Sequence, residues 1–296
     1  MNKNLVFTGA GVAIVTPFYE DGSVNYGKLA ELIEMQIAGG IDAVVICGTT
    51  GESTTLSPQE HEDVIRFAVK QVNRRVPVVA GTGSNETAFA AELSVAAEKD
   101  GADALLQVTP YYNKTSQMGL VRHFFYVADR VNIPIILYNV PSRTGMSIAP
   151  ETYFELSKHP NITATKEAGG DISAIAKIVA LCGDGLALYS GNDDQIAALM
   201  GMGGKGVISV LANVVPGIAH DIAAKALAGD YAGGLRLQLE WLDLCNDLFC
   251  DVNPIPVKEA MNMMGLGVGP CRLPLCEMSE AGRAKLRATL ARHGLV

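Results

Sequence analysis

Histidine and paired cysteines are scarce in this sequence, and their scarcity excludes several kinds of site. The chain has five histidines and six cysteines in 296 residues. No C-x-x-C pair and no H-E-x-x-H motif occurs, and the two C-x4-C spacings have no suitably placed histidines. Zinc and dithiol redox sites therefore have no support in the sequence. We expect free thiols in a reducing cytosol and no bound metal.

Positive charge and long apolar runs are also scarce. Lysine and arginine number 23 against 31 acidic residues, and they form no basic cluster. The net charge of -8 argues against nucleic acid and anionic membranes as partners, although one local cation can bind a small anionic ligand. No stretch reaches the roughly 18 apolar residues of a membrane span. Residues 5–7 are apolar but lead into Thr8 and glycines without a signal-peptide core, so we predict a soluble, cytoplasmic protein.

Apolar residues in general are abundant, at 49% of the chain with a mean hydropathy of +0.22. They concentrate in eight short runs that are rich in β-branched residues and bounded by Gly, Pro, Asn or Asp. Most of these runs are apolar throughout, which is typical of strands buried on both faces of a parallel sheet. The predicted strands are residues 11–15, 43–47, 76–80, 104–108, 133–140, 162–166, 186–190 and 206–210.

Amphipathic stretches alternate with these strands, and one of them opens with the helix start Ser57-Pro58-Gln59-Glu60. The others are residues 26–38, 86–99, 117–130, 150–158, 172–181 and 194–200. About eight alternations of strand and helix favour an α/β fold, the (β/α)8 TIM barrel, over an open sheet. An open sheet would be expected to carry a dinucleotide loop, but Gly9-x-Gly11 lacks the third glycine and precedes the first predicted strand.

No further strand is predicted after about residue 225. Residues 231–249, 256–264 and 279–293 all have helical patterns. We therefore predict a catalytic barrel over residues 1–225 and a C-terminal helical extension over residues 226–296. The extension would pack on the barrel or on another subunit.

The candidate functional residues are those that end the strands, because barrel enzymes place the active site there. The second strand ends in Gly48-Thr49-Thr50-Gly51-Glu52-Ser53, which could hold a carboxylate or form an ordinary turn before a helix. Tyr138 lies in the fifth strand, and Arg143 follows it. They could be a core tyrosine and a surface charge, or a proton-transferring phenol and a carboxylate anchor.

A lysine ends the sixth predicted strand, which is unusual because an unpaired ammonium is costly to bury. Lys166 could pair with the adjacent Glu167. Alternatively, desolvation could lower its pKa from about 10.4 and supply a free amine for imine formation. Local sequence leaves both interpretations open. It also leaves open whether Tyr111 and Tyr112 are packing residues or proton donors, and whether Gly191 lets the backbone approach a ligand or forms a turn.

Taken in order, these segments resemble the dihydrodipicolinate synthase family, within the superfamily of N-acetylneuraminate lyase and the class I aldolases. The resemblance spans nearly the whole chain. It is carried by GTTGE at residues 48–52, TPYY at 109–112, YNVPSRTG at 138–145, KE at 166–167, GVIS at 206–209 and NPIPVK at 253–258.

The resemblance implies an enzyme that condenses pyruvate with L-aspartate 4-semialdehyde, at the entry to diaminopimelate and lysine synthesis. Lys166 would form a Schiff base with pyruvate, and the protonated imine would act as the electron sink, so that no cofactor is required. Tyr138 matches the family's proton donor and acceptor. Thr49 and Tyr112 match the residues that complete its proton relay, with Tyr112 reaching in from a neighbouring subunit.

The same resemblance implies a set of substrate-binding residues and an oligomer. Thr50 and the Ile208 backbone match contacts to the pyruvate carboxylate, and we add Gly191 to this set. Arg143 matches the group that receives the semialdehyde carboxylate. The family is usually a homotetramer made of two tight dimers, and the relay through Tyr112 requires at least a dimer.

Two alternatives remain at this point. N-acetylneuraminate lyase and the 2-keto-3-deoxy sugar acid aldolases share the barrel, the lysine and the tyrosine, but they do not usually carry an arginine at the position of Arg143. They also tend to have serine at the position of Thr49. A small-molecule-binding barrel that has lost catalysis would be expected to lack one of Lys166, Tyr138 and Arg143, and all three are present.

The sequence departs from the family at the site where L-lysine inhibits some members. Ser53, His61, Asn85 and Tyr111 match that site. Pro58 and Phe89, however, stand where sensitive members commonly carry histidine and glutamate. Because phenylalanine cannot pair with the ammonium of the effector, we predict weak or absent inhibition by L-lysine.

Overall fold

The computed structural model describes residue 3 and residues 5–296, and its central feature is a closed barrel of eight parallel strands. Each strand pairs with its neighbours in chain order, and β1 closes on β8. The strands are β1 (Gly9–Ala13), β2 (Ala43–Ile46), β3 (Val78–Gly81), β4 (Ala104–Val108), β5 (Ile135–Asn139), β6 (Ile162–Glu167), β7 (Ala187–Ser190) and β8 (Gly206–Ser209). The predicted (β/α)8 barrel is confirmed.

Helices surround the barrel and continue beyond it. They are α1 (Tyr26–Ala38), α2 (Pro58–Val72), α3 (Thr87–Lys99), α4 (Gln117–Ala128), α5 (Pro141–Thr144), α6 (Pro150–Leu156), α7 (Ile172–Cys182), α8 (Ile196–Gly201), α9 (Pro216–Leu227), α10 (Tyr231–Glu240), α11 (Leu242–Asp247), α12 (Ile255–Met263) and α13 (Glu280–Arg292). Side-chain caps begin several of them. In α2, Ser57 and Glu60 form the capping box expected from the sequence.

The strands are apolar throughout because both of their faces are buried. Inward-facing side chains such as Val45, Leu106 and Ile136 form a cluster inside the barrel. Outward-facing side chains such as Val44 and Leu105 pack with the helices in a second, larger cluster. Successive residues of a strand point to opposite faces, so seven of the eight strands contribute to both clusters, and Leu188 of β7 packs in a third, small cluster with Ile175 and Leu199.

The first strand begins two residues earlier than predicted, so the prediction that Gly9 precedes it was wrong. Gly9 pairs with Gly206 where β1 closes on β8. Gly206 has a φ of +156°, and a Cβ there would lie 1.9 Å from the carbonyl oxygen of Gly9. The missing side chain of Gly206 therefore allows a close backbone approach at the barrel seam, which an apolar pattern cannot reveal.

Two helix predictions also need correction. The single helix expected over residues 231–249 is interrupted at Trp241, whose ring stacks on His293 at 4.2 Å between centroids. Helix α9 was not predicted, although it packs between β1 and α10. It ends at Leu227, two residues beyond the predicted boundary at 225, and the division into a barrel and an extension stays a prediction.

The extension is fixed to the barrel by a buried ion pair. Lys258 of α12 binds Glu52 at 2.9 Å, and both side chains are almost fully buried. The Lys258 ammonium also donates to the carbonyls of Thr16 and Pro270. These contacts hold α12 against the loop after β2. Within the residues that the structure describes, no helix has the length and apolarity needed to cross a membrane.

Candidate active site

A cavity of about 370 Å³ opens at the C-terminal ends of the barrel strands. Strand residues form its inner wall, and loop residues and the extension form its rim. Its lining includes Ala13, Val45, Thr49, Thr50, Leu106, Tyr138, Arg143, Lys166, Gly191, Asn192, Val210, Asp251 and Asn253. Six of the sequence-predicted site residues, namely Thr49, Thr50, Tyr138, Arg143, Lys166 and Gly191, therefore meet in one place.

Lys166 and Tyr138 are neighbours across two strands. They are register partners in the β5–β6 pair, so both side chains project into the barrel. The Lys166 ammonium lies 4.4 Å from the centroid of the Tyr138 ring. This arrangement places an amine beside a phenol at the base of the cavity.

Glu167 faces the other way and does not pair with Lys166. Its carboxylate accepts hydrogen bonds from the Asn139 amide at 2.9 Å, the Tyr153 hydroxyl at 2.9 Å and the Gly169 backbone N–H at 2.7 Å. These partners lie on the outer face of the sheet. The interpretation of Lys166 as one half of an ion pair with Glu167 was therefore wrong.

Burial is the main influence on Lys166, whose side chain is 5% exposed. Loss of hydration lowers the pKa of Lys166, the Asp193 carboxylate opposes the shift, and the positive charge of Arg143 adds to it, so that the pKa is lowered to about 8. A pKa near 8 leaves a useful fraction of neutral amine at neutral pH. Lys166 is thus suited to attack a carbonyl carbon.

Gly191 provides the surface against which the lysine packs. A Cβ at this position would lie 3.1 Å from the Lys166 Cε and 2.7 Å from the Ala168 Cβ. Its backbone N–H also donates to the carbonyl of Glu167 at 2.8 Å. A side chain at this position would clash with Ala168 and crowd the Lys166 Cε, so Gly191 leaves room for the lysine side chain.

Tyr138 remains a neutral phenol near pH 7. Burial raises its pKa, while the charge of Arg143 and a hydrogen bond with the Thr49 hydroxyl oppose the rise. Thr49 lines the same cavity. The phenol can therefore donate a proton or relay one through the neighbouring hydroxyl.

Thr50 and Arg143 bring a hydroxyl and a guanidinium to the cavity. The Thr50 side chain is 3% exposed, and its hydroxyl oxygen accepts a hydrogen bond from the Asn253 amide at 3.0 Å. Arg143 follows β5 in the short helix α5 and donates to the backbone carbonyl of Asn253 at 3.1 Å. A hydroxyl and a guanidinium, both bonded to Asn253, thus line the same cavity.

Ile208 and Tyr112 do not line this cavity. Ile208 is fully buried inside the barrel, in the same cluster as Tyr138, and Val210 reaches the cavity instead. Tyr112 lies in the loop after β4 with a left-handed φ of +68°, and its side chain is 91% exposed. Within one chain, Tyr112 is therefore not part of the site.

The residues that match the lysine-inhibition site are only partly gathered. Ser53 lines a small cavity beside Thr49 and Tyr138. His61 is buried in α2 with a ring nitrogen 2.9 Å from the carbonyl oxygen of Gly81. The backbone carbonyl of Asn85 accepts a hydrogen bond from the side-chain amide of Asn113, and Tyr111 lies in the same loop as Asn113.

Pro58, His61 and Phe89 line a separate groove of about 220 Å³ between α2 and α3.

Two residues of the site were not identified from the sequence. Asp193 is buried, and its carboxylate accepts hydrogen bonds from the backbone N–H groups of Val210 and Leu211, both at 2.9 Å. Asn253 belongs to the NPIPVK motif, to which the sequence assigned no role. Asp193 follows β7 and Asn253 precedes α12, but only the fold brings Asp193 near Lys166 and Asn253 near Thr50.

A second cavity, of about 400 Å³, lies at the opposite end of the barrel and includes Thr163, Leu186 and Lys205. Barrel enzymes use the C-terminal ends of the strands, and Lys166, Tyr138 and Arg143 all belong to the first cavity. Among the residues described by the structure, no cluster of three or more His, Cys, Asp or Glu side chains could hold a metal ion.

Comparison with known proteins agrees with this geometry. A model of the dihydrodipicolinate synthetase family matches residues 6–293. The 4-hydroxy-tetrahydrodipicolinate synthase of Acetivibrio thermocellus is 53% identical over 98% of this chain and 99% of that protein. The crystal structure of dihydrodipicolinate synthase from Aquifex aeolicus aligns with a TM-score of 0.96 and 45% identity, over 98% of this chain and 99% of that one. The chloride-inhibited enzyme from Acinetobacter baumannii, complexed with pyruvate, gives a TM-score of 0.96 and 43% identity over the same shares.

Proposed function

The chain belongs to the dihydrodipicolinate synthetase family, and on that premise we propose that it is a 4-hydroxy-tetrahydrodipicolinate synthase. It condenses pyruvate with L-aspartate 4-semialdehyde. The observation that carries this proposal is the Lys166–Tyr138 pair, in which a buried amine with a lowered pKa lies 4.4 Å from a phenol ring.

The first half of the reaction captures pyruvate. The neutral Lys166 amine attacks the C2 carbonyl carbon, the carbonyl oxygen leaves as water with the two amine hydrogens, and one further proton, supplied through Tyr138, gives the protonated imine. The imine withdraws electrons, so a methyl proton can leave and an enamine forms. Tyr138 is the group beside the amine that can donate and accept these protons. Thr50 lines the same cavity, and its hydroxyl binds the pyruvate carboxylate.

The second half joins the enamine to the aldehyde. The enamine carbon attacks the aldehyde carbon of the semialdehyde, and a proton passes to the new oxygen. Arg143 lies at the cavity rim, where a guanidinium can bind the carboxylate of this second substrate with two hydrogen bonds. This interaction between Arg143 and a carboxylate favours an amino-acid semialdehyde over a sugar-derived aldehyde as the second substrate.

The complete site takes Tyr112 from a neighbouring subunit. The side chain is 91% exposed, which is unusual for a tyrosine, and its backbone is held in a left-handed conformation. A subunit that covered the loop after β4 would bury this ring and could receive it beside Thr49. We propose a dimer of this kind, paired into a tetramer, in the cytoplasm.

The direct test is to trap the imine. The purified protein is incubated with pyruvate and sodium borohydride, and its intact mass and peptide map are measured. We expect one pyruvyl-sized adduct per chain, on Lys166. In a separate incubation without borohydride, we expect condensation when pyruvate and L-aspartate 4-semialdehyde are added together. Parallel reactions with N-acetylneuraminate and a 2-keto-3-deoxy sugar acid should show negligible cleavage. A folded protein without an adduct would refute the proposal.

L-lysine should inhibit this enzyme weakly or not at all. Phe89 lines the groove with Pro58 and His61, and its apolar ring offers no charge to the effector's ammonium. We expect less than half-inhibition at about 1 mM L-lysine in a steady-state titration with both substrates near their KM values. Phe89→Glu, which restores the carboxylate, should increase sensitivity. Inhibition of the unmodified enzyme at micromolar L-lysine would contradict this prediction.

A further inference from the structure

The first residue of the Asn253–Lys258 segment lies inside the candidate site although it comes from the helical extension. Asn253 is 5% exposed and lines the same cavity as Thr50, Arg143 and Lys166. It lies just before α12, whose Lys258 is paired with Glu52. The reaction steps described above give Asn253 no role.

The direction of its hydrogen bond to Thr50 has a chemical consequence. The Asn253 amide nitrogen can only donate, so the Thr50 hydroxyl oxygen accepts this bond at 3.0 Å. A hydroxyl group has one hydrogen, and that hydrogen remains available when the oxygen is used as an acceptor. The Thr50 hydrogen can then be donated into the cavity, where a carboxylate oxygen would accept it.

The backbone of the same residue contacts the second anion-binding group. The Asn253 carbonyl accepts a hydrogen bond from an Arg143 Nη at 3.1 Å. Arg143 is exposed and long, so this contact restricts a side chain that would otherwise be mobile. One residue of the extension thus touches both groups that face substrate carboxylates.

The position of Asn253 is itself fixed by its own segment. Five residues further on, Lys258 is held by Glu52 and by the carbonyls of Thr16 and Pro270. The Glu52 carboxylate also accepts a hydrogen bond from the backbone N–H of Arg272 at 2.9 Å. The loop that carries Thr50 is therefore tied to the extension at Thr50 and again at Glu52, two residues later.

We propose that Asn253 is a positioning residue that orients the Thr50 hydroxyl as a donor to the pyruvate carboxylate and holds Arg143 beside the cavity. The extension thereby sets the affinity for pyruvate. This inference rests on the proposed function. It adds that part of the pyruvate-binding machinery acts from outside the barrel, through Thr50.

The test measures pyruvate saturation of imine trapping in two variants. Asn253→Ala removes the donor, and we expect the half-saturating pyruvate concentration to rise about tenfold. Asn253→Asp keeps the shape but can only accept, so Thr50 would donate to it and a negative charge would face the substrate. There we expect a rise of about thirtyfold or more. The trapping rate at saturating pyruvate should change by less than about threefold in the alanine variant.

A double-mutant cycle separates positioning from general damage. Thr50→Val removes the hydroxyl and preserves the shape of the side chain. If Asn253 acts through Thr50, adding Asn253→Ala to Thr50→Val should change half-saturation by less than about twofold. An additive, tenfold effect in that background would overturn the inference, as would an unchanged half-saturation in both single variants.

Asn262→Ala is the matched control. Asn262 lies on α12, away from the cavity. Its side-chain amide donates a hydrogen bond to the Gly269 carbonyl and accepts one from the Val268 backbone N–H. Its loss should lower the melting temperature without changing pyruvate saturation, whereas a similar rise in half-saturation would overturn the inference. The isosteric Asn253→Asp variant keeps the test decisive if Asn253→Ala does not fold. Failure of the unmodified protein to form any imine would refute the proposed function instead, so the two failures are distinguishable.

Discussion

Lys166→Ala should lower kcat/KM for the condensation by about 10⁴-fold or more and abolish the borohydride-trapped pyruvyl adduct. Without the amine, pyruvate cannot be converted to an imine, and no other group in the cavity supplies an equivalent electron sink. The fold should be unaffected because alanine removes a buried cation and leaves Tyr138 in place. The measurements are steady-state kinetics, intact mass after trapping and the melting temperature.

Two further variants sharpen this experiment. Lys166→Arg keeps the positive charge but not the nucleophile, so it should be as inactive as Lys166→Ala. Lys177→Ala removes an exposed lysine on α7 and should be trapped and turned over normally. An adduct of undiminished stoichiometry on another lysine in the Lys166→Ala variant would show that the nucleophile had been misassigned.

The pH dependence of imine formation should report the same residue. Only the neutral amine attacks pyruvate, and the pKa of Lys166 is lowered to about 8 by burial. Below that value, the trapping rate at a fixed, low pyruvate concentration should rise about tenfold per pH unit, and above it the rate should level off. A lysine with an ordinary pKa would give a rate that still climbs at pH 9.

Lys166 could be found from the sequence because its local context is unusual. A cation at the end of an apolar run needs an explanation whatever the fold, and the barrel rule places it at the catalytic face. The Lys166–Glu167 pair could also have been dismissed at that stage. Adjacent residues of a strand point to opposite faces, and Glu167 does bind partners on the outer face.

Other parts of the site depend on information that the local sequence does not contain. The contact between Asn253 and Thr50 joins residues 203 positions apart, so no periodicity or spacing encodes it. The pairing of Tyr138 with Lys166 depends on the register of β5 against β6, which includes an irregularity at Ile135 and Ile136. Register in a closed barrel follows from the tilt of all eight strands, and single runs do not determine it.

Tyr112→Phe should lower kcat by about 10²-fold, because the phenol hydroxyl would be lost from the proton relay while the ring still packs. Imine trapping with pyruvate should slow but should not disappear, since Lys166 is intact. Tyr19→Phe is the matched control: Tyr19 is 52% exposed, and removal of its hydroxyl should leave kcat unchanged. A Tyr112→Phe enzyme with normal kcat would remove this residue from the relay.

Mixed oligomers can show whether the hydroxyl comes from a neighbouring subunit. When Lys166→Ala and Tyr112→Phe chains are co-expressed with different tags, a hybrid dimer contains one site with an intact Lys166 and an intact Tyr112 from its partner. Random pairing puts half of the dimers in this state, and each has one working site of two, so about a quarter of the unmodified activity should return. A chain in which Lys166 and Tyr112 served the same site would show no recovery in the co-expressed mixture. Because a single chain leaves this ring 91% exposed and outside its own cavity, we expect the activity to return.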